Sequence, residues 1–134
     1  MNDTELERYS RHILLNEFDI FSQEKLSSAT ALMIGCGGLA NACAPILASA
    51  GLGHIIVCDG DTIELSNLQR QFAFTEADIG KHKAEVLKTY LQARNSQIQI
   101  SSIHQFVDET FLHDCLPQCD VIIDCSDNSR TRHL

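Results

Sequence analysis

The stretch ALMIGCGGLA at residues 31–40 decides the fold, because an apolar run ends there at a cluster of glycines. A short apolar run bounded by turn residues is typical of a buried β-strand. The segment that follows, Leu39–Ala50, is mostly apolar and has Gly51 and Gly53 behind it, which predicts a helix with a glycine at its C-terminal end. The stretch therefore predicts a strand, a tight glycine turn and a helix in direct succession.

The same alternation of strand and helix extends to both sides of this stretch. Upstream, apolar residues at helical spacing predict a leading helix from Leu6 to Phe18. Alternating elements of this kind favour an α/β fold with a Rossmann-like, doubly wound, mostly parallel sheet and a leading N-terminal helix. Downstream we expect a buried strand at His54–Cys58, an amphipathic helix at Lys81–Arg94, a strand near a sheet edge at Ile98–Ile103, a short helix at Asp108–Cys115 and another buried strand at Val121–Ile123.

Length and composition bound the class of protein. The 134 residues suffice for one domain, and 44% hydrophobic with 21% charged residues is typical of a soluble globular chain. The net charge of −8 argues against nucleic acid as the main partner. No apolar run approaches the roughly 20 residues of a membrane span, and the acidic N-terminus lacks a signal-peptide core. We therefore expect no membrane partner, a cytoplasmic protein, and six cysteines in the reduced state.

The glycine turn fits the G-x-G-x-x-G/A pattern that binds nucleotide phosphate between a strand and a helix. Gly35, Gly37 and Gly38 would let the backbone approach the phosphate closely, and the helix N-terminus would supply N–H groups. Asp59 ends the next predicted strand about 20 residues later, where a carboxylate accepts hydrogen bonds from ribose hydroxyls. The pattern predicts nucleotide binding, with a purely structural turn as the alternative.

Cationic residues after Asp59 separate ATP from NAD. Arg70, Lys81 and Lys83 fall within 14 positions of an acidic chain, which indicates a small anionic ligand or, alternatively, an ordinary solvated surface. An enzyme that cleaves between the α- and β-phosphates needs such side chains, because charge must be neutralised as pyrophosphate leaves. Arg70 and Lys83 therefore favour ATP, and a NAD-dependent oxidoreductase with a Rossmann domain stays the alternative. The polar stretch before the lysines contains Asp61, Ser66, Asn67, Gln69, Arg70 and Gln71.

Six motifs follow one another along nearly the whole chain. They are RYSR at 8–11, GCGGL at 35–39, DGD at 59–61, LSNLQRQ at 65–71, GKHK at 80–83 and DCSDN at 124–128. In order and spacing they resemble the ThiF/MoeB/HesA family of adenylyltransferases, which are relatives of ubiquitin-activating enzymes. The SNLQRQ block is highly specific to this family, whereas the glycine turn is common to many nucleotide-binding proteins.

The resemblance implies an activity. Such a protein uses ATP to adenylylate the C-terminal glycine carboxylate of a small ubiquitin-like sulfur-carrier protein, of the molybdopterin-synthase or the thiamine-biosynthesis type. Positioning and charge neutralisation would carry the catalysis, without a protein nucleophile.

The resemblance also implies the role of each site residue. Asn67, Arg70 and Lys83 would contact the phosphates, and Asp127 would ligate Mg²⁺. Arg11 would reach into the neighbouring subunit's site, which implies a homodimer. The catalytic set would be Arg11, Arg70, Lys83 and Asp127. The nucleotide-binding set would be Gly35, Gly37, Gly38, Asp59, Asp61, Ser66, Asn67, Leu68, Gln69, Arg70, Lys83, Asp127 and Asn128.

Alternatives to these roles stay open. Arg11 pairs with nearby acidic residues in one alternative, and Asp127 caps a helix N-terminus in another. Ala40 replaces the usual third glycine, which the pattern tolerates, and Pro45 is expected to kink the helix after the turn.

We expect residues 1–134 to form a single ATP-binding domain of the ThiF type, truncated before the family's downstream half. The zinc ligands and the carrier-docking surface would lie in that half, so zinc is expected only there. An inactive truncated fragment that binds nucleotide is a further alternative.

Overall fold

Four parallel strands form the sheet of the computed structural model, which describes residues 1–13 and 20–126 and, within residues 11–13, the backbone alone. The strands are β1 (Thr30–Ile34), β2 (His54–Cys58), β3 (Gln99–Ile103) and β4 (Val121–Asp124), and their spatial order is β3-β2-β1-β4. Ile34 pairs with both Cys58 and Asp124, and Cys58 pairs with Ile103. The register therefore brings the carboxyl ends of all four strands to one edge.

Five helices accompany the sheet in the described residues: α1 (Asp3–Ile13), α2 (Ile20–Ser28), α3 (Gly38–Ala50), α4 (Lys83–Arg94) and α5 (Glu109–Cys115). Short 3-10 turns lie at Leu65–Asn67, Glu76–Asp78 and Leu116–Gln118. No helix in this part of the chain is both long and apolar enough to cross a membrane.

Each inner strand buries side chains on both faces of the sheet. Ala31 and Met33 of β1 belong to a core shared with α3 and α4, whereas Leu32 and Ile34 belong to a second core with Phe111 of α5. Successive side chains of a strand point to opposite faces, so the two cores lie on the two faces of the sheet. The α/β, doubly wound, parallel architecture is confirmed, and β3 lies at an edge among the described strands, as predicted.

The structure corrects two element predictions, and part of a third lies outside the described residues. The strand at Val121–Ile123, which we expected to be buried, is an edge strand with Val121 44% and Ile122 37% exposed, because only one neighbour pairs with it in the described residues. Helix α2 was not predicted, since its buried side chain is the polar Gln23, whose Nε2 donates to the Ala50 carbonyl at 3.0 Å. The leading helix is described as far as Ile13, and the remainder predicted up to Phe18 lies outside the described residues.

Helix α1 is anchored at the end of the domain opposite the glycine turn, where α3 and α4 end. Tyr9 is 2% exposed, and its hydroxyl accepts a hydrogen bond from Asn95 Nδ2 at 2.9 Å. The same Nδ2 donates to the carbonyl of Ala48 at 2.9 Å. Ala48 lies near the end of α3 and Asn95 directly follows α4, so α1 docks on the C-terminal ends of both helices.

Gly53, between α3 and β2, leaves no room for a side chain. A Cβ atom there would lie 1.8 Å from the carbonyl oxygen of Ser27. We expect Gly53→Ala to lower the free energy of unfolding by about 3 kcal/mol in urea titrations, because backbone must move to relieve the overlap. Gly80→Ala is the matched control, since Gly80 has a φ of +89° but nothing within 4 Å, and we expect it to cost only about 1 kcal/mol. Equal losses in the two variants would contradict the steric explanation.

Candidate functional site

A cleft of about 840 Å³ lies along the edge where the four strands end. Its volume falls within the range of roughly 300–1,000 Å³ that is usual for small-molecule sites. Residues that follow each of the four strands contribute to its walls. In an open parallel sheet, ligands bind at this edge and next to the point where the strand order reverses. Of the predicted site residues, the cleft is lined by Gly35, Gly37, Gly38, Asp59, Asp61, Asn67, Arg70 and Lys83.

The glycine turn joins β1 to α3 and approaches its neighbours closely. Gly35 has a φ of +89°, and a Cβ there would lie 3.1 Å from the backbone of Cys125 and Ser126. The side chain of Arg70 lies over Gly38, with its Cδ atom 3.5 Å from where a Cβ would be. Since α3 begins at Gly38, the first N–H groups of the helix have no partners within it. The turn therefore presents backbone donors beside a guanidinium group.

Asp59 ties the end of β2 to the glycine turn. Its Oδ2 accepts a hydrogen bond from the Cys36 N–H at 2.8 Å, and its Oδ1 accepts one from the Asp61 N–H at 2.8 Å. The residue is 9% exposed and lines the cleft. Each oxygen of a carboxylate can accept more than one hydrogen bond, so capacity remains for a donor on a ligand.

Two of the three cations that we singled out meet at the cleft. Lys83, the first residue of α4, is 7% exposed and lines the cleft, and Arg70 lines it with its side chain against Gly38. No carboxylate of the described residues is within ion-pair distance of either cation. Lys81 does not belong to the cationic cluster that we proposed, because its ammonium lies 3.5 Å from a carboxylate oxygen of Asp78. It lines a separate cavity of about 600 Å³ beside α4.

Three residues predicted to bind nucleotide do not line the cleft. Ser66 and Gln69 are exposed, and Leu68 packs against the core shared with α3 and α4. Their side chains point away from the cleft because the 3-10 turn at Leu65–Asn67 and the turn after it direct neighbouring side chains to different sides. Asn67 does line the cleft. Its Oδ1 accepts a hydrogen bond from the Glu64 N–H at 2.8 Å, so its NH2 group is the part of the amide that can donate to a ligand.

The remaining predicted residues are not described in full. Asp127 and Asn128 lie outside the described residues, and Arg11 is described only by its backbone, which lies in α1.

Three residues at or beside the cleft were given no site role from the sequence, although Gln71 belongs to the polar stretch that we singled out. Phe106 lines it at 62% exposure and packs over Gly60, where a Cβ would lie 2.4 Å from the ring. Gln71 is 3% exposed, and its Oε1 has no hydrogen-bond partner in the described residues. Asn41 is buried directly behind the glycine turn. The position of Phe106 after the third strand was the available signal, whereas nothing in the apolar pattern marks a buried amide.

The cysteines near the cleft are poor nucleophiles. All six are free thiols in this structure, and Cys36, Cys58 and Cys125 are buried. Burial, reinforced by the Asp59 carboxylate, raises the pKa of Cys58 to about 12, and the same two causes raise the pKa of Cys36. These thiols stay protonated at neutral pH. No group of three or more His, Cys, Asp or Glu side chains in the described part of the chain is arranged to hold a metal ion.

The sequence pattern of the ThiF family matches residues 9–134. The chain belongs to the ThiF family. It is 42% identical over 132 residues to the sulfur carrier protein ThiS adenylyltransferase of Escherichia coli K12, covering 98% of this chain and 53% of that protein. It is 38% identical over 133 residues to the molybdopterin-synthase adenylyltransferase of the same organism, covering 99% and 53%. The chain thus spans about half the length of these curated relatives.

Solved structures show the same fold. E. coli MccB with ATP is 42% identical, with a TM-score of 0.73 over 85% of this chain and 35% of that one. E. coli tRNA N6-threonylcarbamoyladenosine dehydratase, TcdA, has a TM-score of 0.88 over 98% and 54% of the two chains. At 22% identity, that second likeness concerns the fold alone.

Proposed function

We propose that this chain is the ATP-binding part of an enzyme that adenylylates the C-terminal glycine carboxylate of a small ubiquitin-like sulfur-carrier protein. The observation that carries the proposal is the cleft, where Arg70 and the buried Lys83 face a glycine turn without ion-pair partners among the described residues. The relatives named as adenylyltransferases of ThiS and of molybdopterin synthase support the reaction and the class of partner.

The cleft divides into a phosphate part and a ribose part. Backbone N–H groups at the start of α3, together with Arg70 and Lys83, bind the phosphates. The carboxylate of Asp59 accepts hydrogen bonds from the ribose hydroxyls. The NH2 group of Asn67 donates to a phosphate oxygen, since its carbonyl oxygen is already bonded to Glu64.

The reaction needs positioning and charge neutralisation. A carboxylate oxygen of the carrier attacks the α-phosphorus, the bond from that phosphorus to the bridging oxygen breaks, and pyrophosphate leaves with the electron pair. The product is the carrier acyl-adenylate. Arg70 and Lys83 neutralise the charge that builds up on the leaving pyrophosphate. The protonated thiols beside the cleft take no part. When bound, Mg²⁺ would add positive charge at the phosphates, and the family resemblance gives Asp127 as its ligand.

Arg11 serves the site of a second subunit in this proposal. Tyr9 is anchored at the C-terminal ends of α3 and α4, whereas the cleft lies at the N-terminal end of α3. The 13 residues of α3 span about 20 Å. Arg11 follows Tyr9 by two residues in α1, the helix that is anchored where α3 and α4 end rather than where α3 begins at the cleft. This placement supports a homodimer in which Arg11 acts in trans. The six free thiols support a cytoplasmic location.

Carrier-dependent exchange of pyrophosphate into ATP tests the proposed function. We expect the full-length protein to catalyse exchange with a ThiS-type or a molybdopterin-synthase-type carrier, and to lose it when the carrier's terminal glycine is removed. The lost carboxylate is the nucleophile, so the control isolates the chemical step. Tight NAD binding without exchange on any carrier would instead favour the oxidoreductase.

Asp59→Ala is expected to weaken ATP binding about tenfold to a hundredfold, since hydrogen bonds to a charged acceptor are lost. Calorimetry on the full-length protein measures the dissociation constant. Asp124→Ala is a matched control, because Asp124 also ends a strand and its Oδ1 accepts from an N–H two residues on, that of Ser126 at 2.9 Å, but it does not line the cleft. An Asp59→Ala protein that binds ATP as tightly as the control would show that Asp59 does not hold the ribose.

A further inference from the structure

Asn41 in the first turn of α3 uses its whole side-chain amide in internal hydrogen bonds. Its Nδ2 donates to the carbonyl of Cys36 at 3.1 Å and to that of Gly37 at 2.8 Å. Its Oδ1 accepts from the N–H of Ala73 at 2.8 Å. The residue is 4% exposed and does not line the cleft. The amide therefore acts on the glycine turn and on the segment at Ala73, never on a ligand.

The bonds to Cys36 and Gly37 fix which groups of the glycine turn face the cleft. A carbonyl oxygen bonded to Nδ2 is held toward α3, on the side away from the cleft. If either peptide rotated, an oxygen would face the phosphates and repel them. The Asn41 side chain removes this alternative for the peptide after Cys36. For the peptide after Gly37 it adds to the backbone hydrogen bond from the Asn41 N–H to the Gly37 carbonyl at 2.9 Å, so that N–H groups remain directed at the anion.

The bond to Ala73 links the same turn to the segment that contains Arg70 and Gln71. Arg70 and Gln71 precede Ala73 by three and two residues, and their side chains lie against Gly38 and Gly37. Gln71 Nε2 is 3.6 Å from where a Cβ of Gly37 would be. A single buried amide thus connects the backbone donors of the turn with the segment that carries the guanidinium group.

We propose that Asn41 is a positioning residue for the triphosphate, holding the glycine turn and the segment of Arg70 and Gln71 in the mutual arrangement that binds the anion. The proposal rests on the proposed function, in that the anion is the triphosphate of ATP. It assigns a specific part of the phosphate affinity to a residue that does not contact the phosphates.

Asn95 provides a control with the same chemistry at the other edge of the sheet. It is 0% exposed, and its Nδ2 donates to Tyr9 Oη and to the Ala48 carbonyl, while its Oδ1 accepts from the Gln97 N–H at 3.1 Å. Asn41 and Asn95 therefore have similar burial and the same number of amide hydrogen bonds. Only Asn41 adjoins the cleft, so the pair separates loss of stability from loss of positioning.

The experiment compares Asn41→Ala with Asn95→Ala in the full-length protein. Urea titration gives the free energy of unfolding, and calorimetry under conditions where both variants are folded gives dissociation constants for ATP and inorganic tripolyphosphate. We expect similar destabilisation in the two variants. We expect Asn41→Ala to weaken ATP and tripolyphosphate by the same factor, about tenfold, and Asn95→Ala to change neither by more than about twofold.

Asn41→Asp and Asn95→Asp keep the size of the side chain and serve where alanine prevents folding. A carboxylate at position 41 cannot donate to the two carbonyls, but its protonated form donates one hydrogen bond, and burial raises the pKa of such a group. We expect the tripolyphosphate affinity of Asn41→Asp, relative to Asn95→Asp, to recover as the pH falls from about 8 to about 6.

Three results would overturn the positioning role: unchanged affinity in Asn41→Ala, equal weakening in the two alanine variants, or no pH-dependent recovery in Asn41→Asp. Wild-type protein that binds tripolyphosphate without preferring ATP would overturn the proposed function alone, because the Asn41 comparison is then decided on tripolyphosphate. Wild-type protein that binds neither ligand would overturn both.

Discussion

Lys83→Met is expected to lower kcat for carrier adenylylation by about 10²–10³-fold, the usual cost of losing one group that stabilises charge in the transition state. Lys83 is 7% exposed at the start of α4, and no carboxylate of the described residues neutralises it. Its charge therefore acts on the leaving pyrophosphate in surroundings where water screens it weakly. Methionine keeps the apolar stem, so the variant removes the charge with little change in packing. Initial rates with saturating ATP and carrier measure kcat.

The free energy of unfolding of Lys83→Met should not fall together with kcat. A buried cation opposes folding when it lacks a counter-charge, and Lys83 has no ion-pair partner among the described residues. We therefore expect the free energy of unfolding of Lys83→Met to equal or exceed that of the wild type. Lys81→Met is the control, because Lys81 lies two residues earlier, is exposed and pairs with Asp78 beside a different cavity. We expect it to change kcat by less than about twofold. Equal losses in the two variants, or a severe loss of stability in Lys83→Met, would show that Lys83 is not the charge-neutralising group.

The apolar pattern predicts this fold well where burial is apolar and fails where it is polar. The strand at His54–Cys58 has the predicted bounds, because every residue of its run except the first is buried. Helix α2 escapes prediction, since the side chain that fixes it is Gln23. The strand at Val121 carries the same apolar signal as an inner strand, yet among the described residues only β1 pairs with it. Strand order is a long-range property, so a local run does not reveal which side is covered.

The candidate site shows the same division. Gly35 and Asp59 are predictable, because a turn at the end of one strand and a carboxylate at the end of the next must meet at one edge of a parallel sheet. Lys81 and Lys83 are indistinguishable by sequence spacing, and the start of α4 separates them, burying only the second. Asn41 is unmarked because its role depends on Ala73, 32 residues away in sequence. Hydrogen bonds between segments that are distant in sequence can be identified only in the folded structure.

Arg11→Ala is expected to lower kcat by about 10³-fold or more, as loss of an arginine finger does, although α1 is anchored away from the cleft of its own subunit. Arg8→Ala is the control from the same helix. Arg8 is exposed, and its Nη1 donates to the Arg94 carbonyl at 3.3 Å, so we expect its removal to change kcat by less than about twofold. An exposed pairing of Arg11 with neighbouring acidic residues would make the two variants alike.

Subunit mixing decides whether Arg11 acts in trans. Full-length Arg11→Ala and Asp127→Ala proteins should each be nearly inactive as homodimers. In a mixed dimer, the site that keeps Asp127 receives Arg11 from the other subunit and is intact, whereas the second site lacks both residues. Random reassociation places about half of the dimers in the mixed form, so we expect about a quarter of wild-type activity. If Arg11 instead served its own subunit, every site in the mixture would lack one residue. Mixed dimers, purified through two different affinity tags, would then be as inactive as either parent.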